Sequence, residues 1–459
     1  MKVDIVVVYV PRYARGHARQ FVPPVTGIHL AALCPPDVQV RVIHQQAGPV
    51  PLDTDADLVC LSFFTGFAHE AWRLAAAFRA RGKRVVGGGP HATFWPEETL
   101  RHCDAVVLGE AESVWLTMLR DAERGQLQPV YQGEALPLSG LPTPRYDLLP
   151  DAFVVRRVLQ ATRGCPFSCS FCTVPGLQPG FRMRPVDQVL ADVAHEEPGW
   201  TWWQRKVAWF WDDNLLANRR WSRSLLDGLR GMDRWWLTQA SIDITRDPRL
   251  LDAMADSGCI GIFLGIESLR ADSLAEACKR QNKVAEYRAA VDALHARGIC
   301  VMAGFIAGFD HDDEHSIVAM ADELLDIGVD VPFLSVLTPF KGTPLWDRLA
   351  AEDRLLLDRG WGHHNGYNVA FRPARTSPEG LLSAHRALWR RAFSPAHTAR
   401  RLARTRALSP GAALMSATMN GFYGRKALTG NLPVDMSTVD AGPAVGLALS
   451  APSGMLAAK

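Results

Sequence analysis

"ATRGCPFSCSFCTV", Ala161 to Val174, places Cys165, Cys169 and Cys172 in the spacing C-x3-C-x2-C, while the other cysteines of the chain stand singly. A closed structural zinc site usually has four protein ligands, and iron–sulfur clusters are normally held by four cysteines. Here there are three, and Cys103 and Cys259 lie far along the chain. Three thiolates on one tight loop suit a 4Fe-4S cluster whose fourth iron is left open to a small chelating molecule. Gly164 and Pro166 favour a bent, non-helical loop, and Phe167 and Phe171 are placed to shield a cluster from water. Two other readings stay open on these residues alone: three cysteines buried by chance, and a zinc site completed by a distant histidine.

Outward from this loop the chain alternates strands and helices. Residues 154–163, 206–213, 235–244, 259–268, 300–310 and 329–340 are rich in β-branched and aromatic residues. Helical stretches such as "DPRLLDAMADSG" and "EHSIVAMADELLDIG" lie between them, ending in the glycine that a helix C-cap prefers. Such alternation implies a parallel sheet. Six units predict a partial (β/α)6 barrel of the TIM type, with its chemistry at the strand C-termini. Polar or special residues stand at those ends: Asp212, Asp213 and Asn214; Ser241 and Asp243; Glu267 and Ser268; Gly304, Gly308 and Asp310; then Thr338.

The first 150 residues show five more strand patterns, from "VDIVVVYV" to "DAVVLGEAES", with helical stretches between. They predict a doubly wound, Rossmann-like α/β domain that binds ligands at the strand C-termini. Ser62 and Thr65 follow the third strand, Gly87, Gly88 and Gly89 end the fourth, and "LGEAE" follows the fifth. The glycine run alone is weak evidence for phosphate, because it lacks the spacing G-x-G-x-x-G.

The cysteine spacing after a strand and "RGCP" resembles the signature of the radical S-adenosylmethionine (radical SAM) superfamily. The resemblance implies that the open iron binds the amino and carboxylate groups of S-adenosylmethionine, whose reductive cleavage gives a 5′-deoxyadenosyl radical. By the same resemblance Asp212, Asp213 and Asn214 lie where the methionine amino group is held, and Glu267 where the ribose is contacted. Ser241 belongs to that set, and "GFIAG", Gly304 to Gly308, resembles the strand near the adenine. The ordered set Ser62, Thr65, Gly87 to Gly89 and "LGEAE" resembles the cobalamin-binding domain joined to many of these enzymes. The resemblance runs from Pro23 to Arg372, through "LPTPRYDLLP", "DDNLLANRR", "EACKRQN" and "NVAFRPARTSPEGL", and points to the branch of the hopanoid methylases. One departure is that no D-x-H-x-x-G occurs. The loop reads "PRYARGHARQ", in which His17 is a candidate to face cobalt and a solvated loop histidine is the commoner outcome.

The resemblance thus implies a cobalamin-binding-like domain over 1–140, a radical SAM barrel over 141–345, a mostly helical segment over 346–425 and a flexible tail over 426–459. The activity expected is C-methylation of an unactivated carbon in a natural-product or lipid-type small molecule, with an electron donor such as a flavodoxin or ferredoxin. A radical dehydratase, epimerase or cyclase that does not use cobalamin is the alternative. A tRNA methylthiotransferase should carry a second three-cysteine cluster, and Cys34, Cys60 and Cys103 lack that family's setting. Lys plus Arg number 50 against 48 Asp plus Glu, so no charge excess points to nucleic acid. The reading places the protein in the cytoplasm, where thiols stay reduced. Arg386 to Leu408 carries seven arginines, a composition that suits either acidic lipid or a solvated helix face. His363, His364 and Tyr367 are candidates for the substrate side, with exposed loop positions the commoner outcome. Of the fourteen tryptophans, Trp95, Trp209 and Trp211 are candidates to line a cavity.

Overall fold

The structure is a computed structural model that describes residues 1–10 and 22–436. His17 and residues 437–459 lie outside the described residues. Two six-stranded sheets, each wholly parallel, organise the chain.

The first sheet contains β1 (Lys2–Val7), β2 (Gln39–His44), β3 (Leu58–Ser62), β4 (Arg84–Gly88), β5 (Ala105–Leu108) and β6 (Val130–Gln132). Their spatial order is β2-β1-β3-β4-β5-β6. The chain therefore reverses its direction of travel at β1, so a crevice opens at the strand C-termini beside β1 and β3. β1 and β3 are buried along almost their whole length, as strands covered on both faces must be. β6 was not among the five strands expected, since three residues carry too little alternation to read.

The second sheet holds β7 (Arg157–Leu159), β8 (Val207–Phe210), β9 (Trp235–Ala240), β10 (Cys259–Glu267), β11 (Cys300–Ala307) and β12 (Val331–Val336), adjacent in chain order. All six expected strands are present. The intervening helices are set by local signals. Asp247 caps helix Pro248–Asp256 by accepting from Leu250 N, and Asp313 caps helix Glu314–Ile327, which ends on Gly328 in the left-handed region. One face of the sheet packs on these helices through Ile262, Leu264, Val301 and Ala303. The opposite face carries Ile260, Met302 and Val331, on which Ala412, Met415 and Met419 of helix Pro410–Thr429 pack.

That helix revises the expected tail. The chain stays helical past Lys426 to Thr429, and Leu432 and Val434 beyond it are buried. The arginine-rich stretch is also put to internal use. Arg390 pairs with Asp435, Arg391 with Asp322, Arg401 donates to Asn420 Oδ1 and Arg404 to Leu325 O. Among the described residues no helix is long and apolar enough to cross a membrane.

Candidate active site

The cysteine loop leaves β7 through a two-residue ladder, Thr162–Arg163 against Arg182–Met183. Gly164 then turns with φ +81°, and a Cβ there would run into the carbonyl oxygen of Gly180, so only glycine fits. Ser170 anchors the far side: its N–H donates to Ala277 O (3.0 Å) and its hydroxyl to Glu276 O (3.1 Å). Cys165, Cys169 and Cys172 are half-buried on this loop. Burial pushes the Cys172 thiol up to about 12 and raises that of Cys169, against which Lys279 acts in the opposite direction. Metal-free, Cys169 and Cys172 are therefore protonated at neutral pH, and metal binding would displace those protons. Among the described residues no three Cys, His, Asp or Glu side chains close around one point as a single metal ion requires. Phe171 packs back on the core beside Phe309.

The three residues after β8 divide their work. Asp212 is fully buried and accepts from Ala161 N (3.1 Å), Thr162 N and Thr162 Oγ1 (2.6 Å). It is a clamp on the root of the cysteine loop and lines neither of the two cavities that meet at this site. Burial pushes its pKa up to about 7 against those hydrogen bonds. Asp213 faces the other way. Its Oδ2 is buried without a hydrogen-bond partner, and burial pushes its pKa up to about 6, opposed by Gly164 N–H and Arg163. Asn214 bridges two elements: its Nδ2 donates to Cys165 Sγ (3.7 Å) and its Oδ1 accepts from Ser241 N (3.2 Å). The Ser241 hydroxyl is buried and has no partner.

Glu267 ends β10 in the left-handed region (φ 64°), where the ladder with β11 shifts register. For a side chain other than glycine this is strain, and strain of this kind collects at functional sites. Its carboxylate pairs with Lys279, also buried. A Cβ on Gly265 would collide with both charged ends, and one on Gly304 would meet Phe263 Cζ at 2.9 Å. Burial lowers the Lys279 pKa, but Glu267 foremost, joined by Cys169 and Cys172 whenever they are thiolates, outweighs it, so the group is held charged beside the cysteine loop. Lys279 is a site residue that the sequence reading missed, although "EACKRQN" contains it.

Other expected positions have partners within the fold. Gly308 (φ 108°) gives room to Leu381 and Phe371 of the C-terminal segment. Asp243 pairs with Arg219, Asp310 with Arg348 and Arg354, and the Thr338 hydroxyl donates to Val336 O. Trp95 packs against Trp346 and Trp361 rather than lining a cavity.

Two cavities meet at this site. One, of about 640 Å³, lies over the C-terminal edge of the first sheet, floored by Ser62 and Gly87, Gly88 and Gly89, and reaches Arg163, Thr173 and Asp213 of the second unit. Gly89 has φ +95°, and a Cβ there would press on Phe63 O at 2.8 Å. Glu110 and Glu112 of "LGEAE" also line it, and they pair with Arg163, which with Arg182 and His29 ties the two sheets together. The other cavity, of about 920 Å³, is mostly apolar and is walled by side chains such as Trp209, Trp211, Phe263, Phe333 and Tyr423. Thr65 opens into this second cavity, not the first as expected, and His364 and Tyr367 line it too. Tyr9, Gln46, Phe64, Phe67, Pro90 and Thr173 border both.

Comparison with known proteins bears on this site. Residues 159–324, from β7 through helix Glu314–Ile327, match the family model of the radical SAM superfamily. The bacteriochlorophyllide d C-12(1)-methyltransferase of Chlorobaculum tepidum is 32% identical over 370 residues, covering 78% of this chain and 80% of that protein. The chain belongs to the radical SAM enzymes. Residues 343–428 match a domain family of unknown function. The hopanoid C-2 methylase of Rhodopseudomonas palustris is 26% identical, covering 74% of this chain and 66% of that protein. The expected placement beside the hopanoid methylases thus gives way to a stronger likeness to the C-12(1)-methyltransferase. Among solved structures, the cobalamin-dependent radical enzyme OxsB superposes with a TM-score of 0.68 at 15% identity, covering 93% of this chain and 71% of that one. The methyltransferase TsrM from Kitasatospora setae gives 0.59 at 15% identity, covering 76% and 78%. These two share the fold of the chain.

Proposed function

We propose that the protein is a cobalamin-dependent radical SAM C-methyltransferase acting on a large, mostly apolar natural-product or lipid-type molecule. The observation that carries this reading is the shared wall between the two cavities. A glycine-floored cavity at a sheet edge and a mostly apolar, aromatic-lined cavity adjoin each other at Thr173, the residue that follows Cys172 on the cysteine loop. Methyl transfer needs a methyl carrier, a radical source and a substrate to converge in that way. Relatives that carry methyltransferase names, on bacteriochlorophyllide d and on hopanoids, support the same reading. In this reading the second sheet is the partial barrel, 1–140 the Rossmann-like cobalamin domain, and 141–345 and 346–425 the barrel and helical units.

The residues present fit these groups. The cysteines supply three soft donors on a rigid loop, the unpartnered Oδ2 of Asp213 suits the ammonium of S-adenosylmethionine, and the cavity lined by Gly87, Gly88 and Gly89 offers room for a nucleotide tail. When bound, the cluster supplies the electron, S-adenosylmethionine the hydrogen-abstracting group and cobalamin the methyl group. The chain's own part is to position and to exclude water. Asp212 and Gly164 fix the loop that presents the thiols. Asn214 orients Cys165, and Lys279 offsets the negative charge of the thiolates. The Trp209, Trp211 and Phe263 walls keep the substrate dry and close to the shared border. An external donor such as a flavodoxin or ferredoxin completes the electron supply.

The test is anaerobic purification with cobalamin supplied, followed by iron, sulfide and cobalt analysis and an absorption spectrum. About four irons per chain, together with stoichiometric cobalt, is the expected result. The same iron without cobalt would refute methyl transfer from cobalamin and favour a radical dehydratase, epimerase or cyclase. Iron retained after Cys165→Ala would refute the cluster assignment itself.

A further inference from the structure

The apolar cavity has one charged group in its lining. Its 920 Å³ are bounded by aromatic, aliphatic and uncharged polar side chains, with no Asp, Glu or Arg among the described lining residues. His364 is neutral there, since burial pushes its pKa down to about 3. The exception is Lys426, in the last turn of helix Pro410–Thr429, only 8% exposed.

Its ammonium has three donors. One reaches Asn431 O at a long 3.4 Å, and the Phe422 ring centroid lies 5.0 Å away. No carboxylate among the described residues pairs with it. Buried charges are ordinarily paired, because an ammonium loses its hydration on burial and needs compensation. Burial lowers its pKa accordingly. A lysine in the last helical turn can also serve the C-terminal carbonyls alone, but such a lysine gains by reaching solvent, whereas this one points along a cavity wall built from aromatic rings.

We propose that Lys426 is a specificity residue that pairs with a carboxylate on the substrate, so that the cavity accepts a large polycyclic or extended apolar acid and discriminates against its neutral ester. The proposal rests on the reading of this cavity as the substrate site. The acid enters with its apolar body against Trp209, Trp211 and Phe333 and its carboxylate at the helix end. The Lys426 ammonium then sets which carbon of the body reaches the border with the cofactor cavity.

The experiment uses pyrene-1-butyrate and its methyl ester as a matched pair of probes on the anaerobically purified full-length protein, with binding read by pyrene and tryptophan fluorescence. A charge-assisted contact in a buried site makes the acid bind about 10- to 100-fold more tightly than the ester. Lys426→Met is expected to erase that preference, and Lys426→Arg to retain most of it. Equal binding of acid and ester by the parent protein would overturn the proposal without any variant, as would an acid preference that survives Lys426→Met. Should Lys426→Met fail to fold by circular dichroism, the parent's acid-to-ester ratio and the Arg variant still decide. Iron and cobalt present with no acid preference would sink the proposal alone. An acid preference in a protein without cobalt would leave it standing while the methyl-transfer reading fell.

Discussion

Replacing Lys279 by methionine removes one half of the buried pair with Glu267 and keeps nearly the same side-chain length. At a hydrogen-bonding separation of ~3 Å and an effective dielectric of ~20, the attraction between the two charges is about 5 to 6 kcal/mol. Desolvation of two buried ions costs a similar amount, so the pair as a whole contributes little net stability. Breaking it is another matter, since Glu267 is left charged, buried and already strained at φ 64°. The expected loss is about 3 to 5 kcal/mol, local to the end of β10 and the loop that carries Lys279. Hydrogen–deuterium exchange of peptides spanning 259–282 reads this directly, as amides there exchanging roughly 100- to 5000-fold faster when local opening is rapid. The double variant Lys279→Met with Glu267→Gln removes the uncompensated charge and should recover at least about 2 kcal/mol of the loss. Unchanged exchange in the single variant, or a double variant as labile as the single, would refute this account of the pair.

Two further outcomes follow from the loop itself. Gly164→Ala keeps all three cysteines but forces a Cβ into Gly180 O, so iron incorporation should fall to near that of the cysteine variants; full iron loading would show that the turn is not required. The buried Asp213 carboxylate, with its pKa raised to about 6, should hold a cationic ligand better above that pH than below it. Affinity for S-adenosylmethionine on the cluster-loaded protein should therefore drop between pH 7 and pH 5, and Asp213→Asn should flatten the profile. The sign for stability is opposite: the folded state binds this proton more tightly than the unfolded chain, so the contribution of Asp213 declines as pH rises from about 4 to 6. A pH profile unaltered by Asp213→Asn would exclude this role.

Much of the architecture was already written in local patterns. Six strands and the helices between them were readable because strand composition and glycine caps act over a few residues. The three cysteines were readable because their spacing lies within one loop. Adjacent polar residues were not separable in this way. Asp212 and Asp213 are neighbours with similar sequence surroundings, yet they lie past the end of β8, where the chain bends and the local path sets each side chain's direction. One therefore clamps Ala161 and Thr162 while the other faces the cavity. Ser62 and Thr65 part company for a related reason, because the chain turns after β3 and sends them into different cavities. Gly304 and Gly308 look alike in "GFIAG", but one makes room beside Phe263 and the other for Leu381, a distinction set by what packs there.

What the sequence determined by itself is therefore whatever a short window of chain decides: the parallel α/β elements, the cysteine loop and its non-helical turn. Only the tertiary structure could decide the pairings that join distant residues. Lys279 meets Glu267 across a loop, Glu110 and Glu112 meet Arg163, and Lys426 comes to the wall of a cavity whose other sides begin at Tyr9 and β10. Side-chain charge and hydrophobicity are properties of the residue, but burial and partnership are properties of the packed whole. The chemistry of this site depends on the second kind.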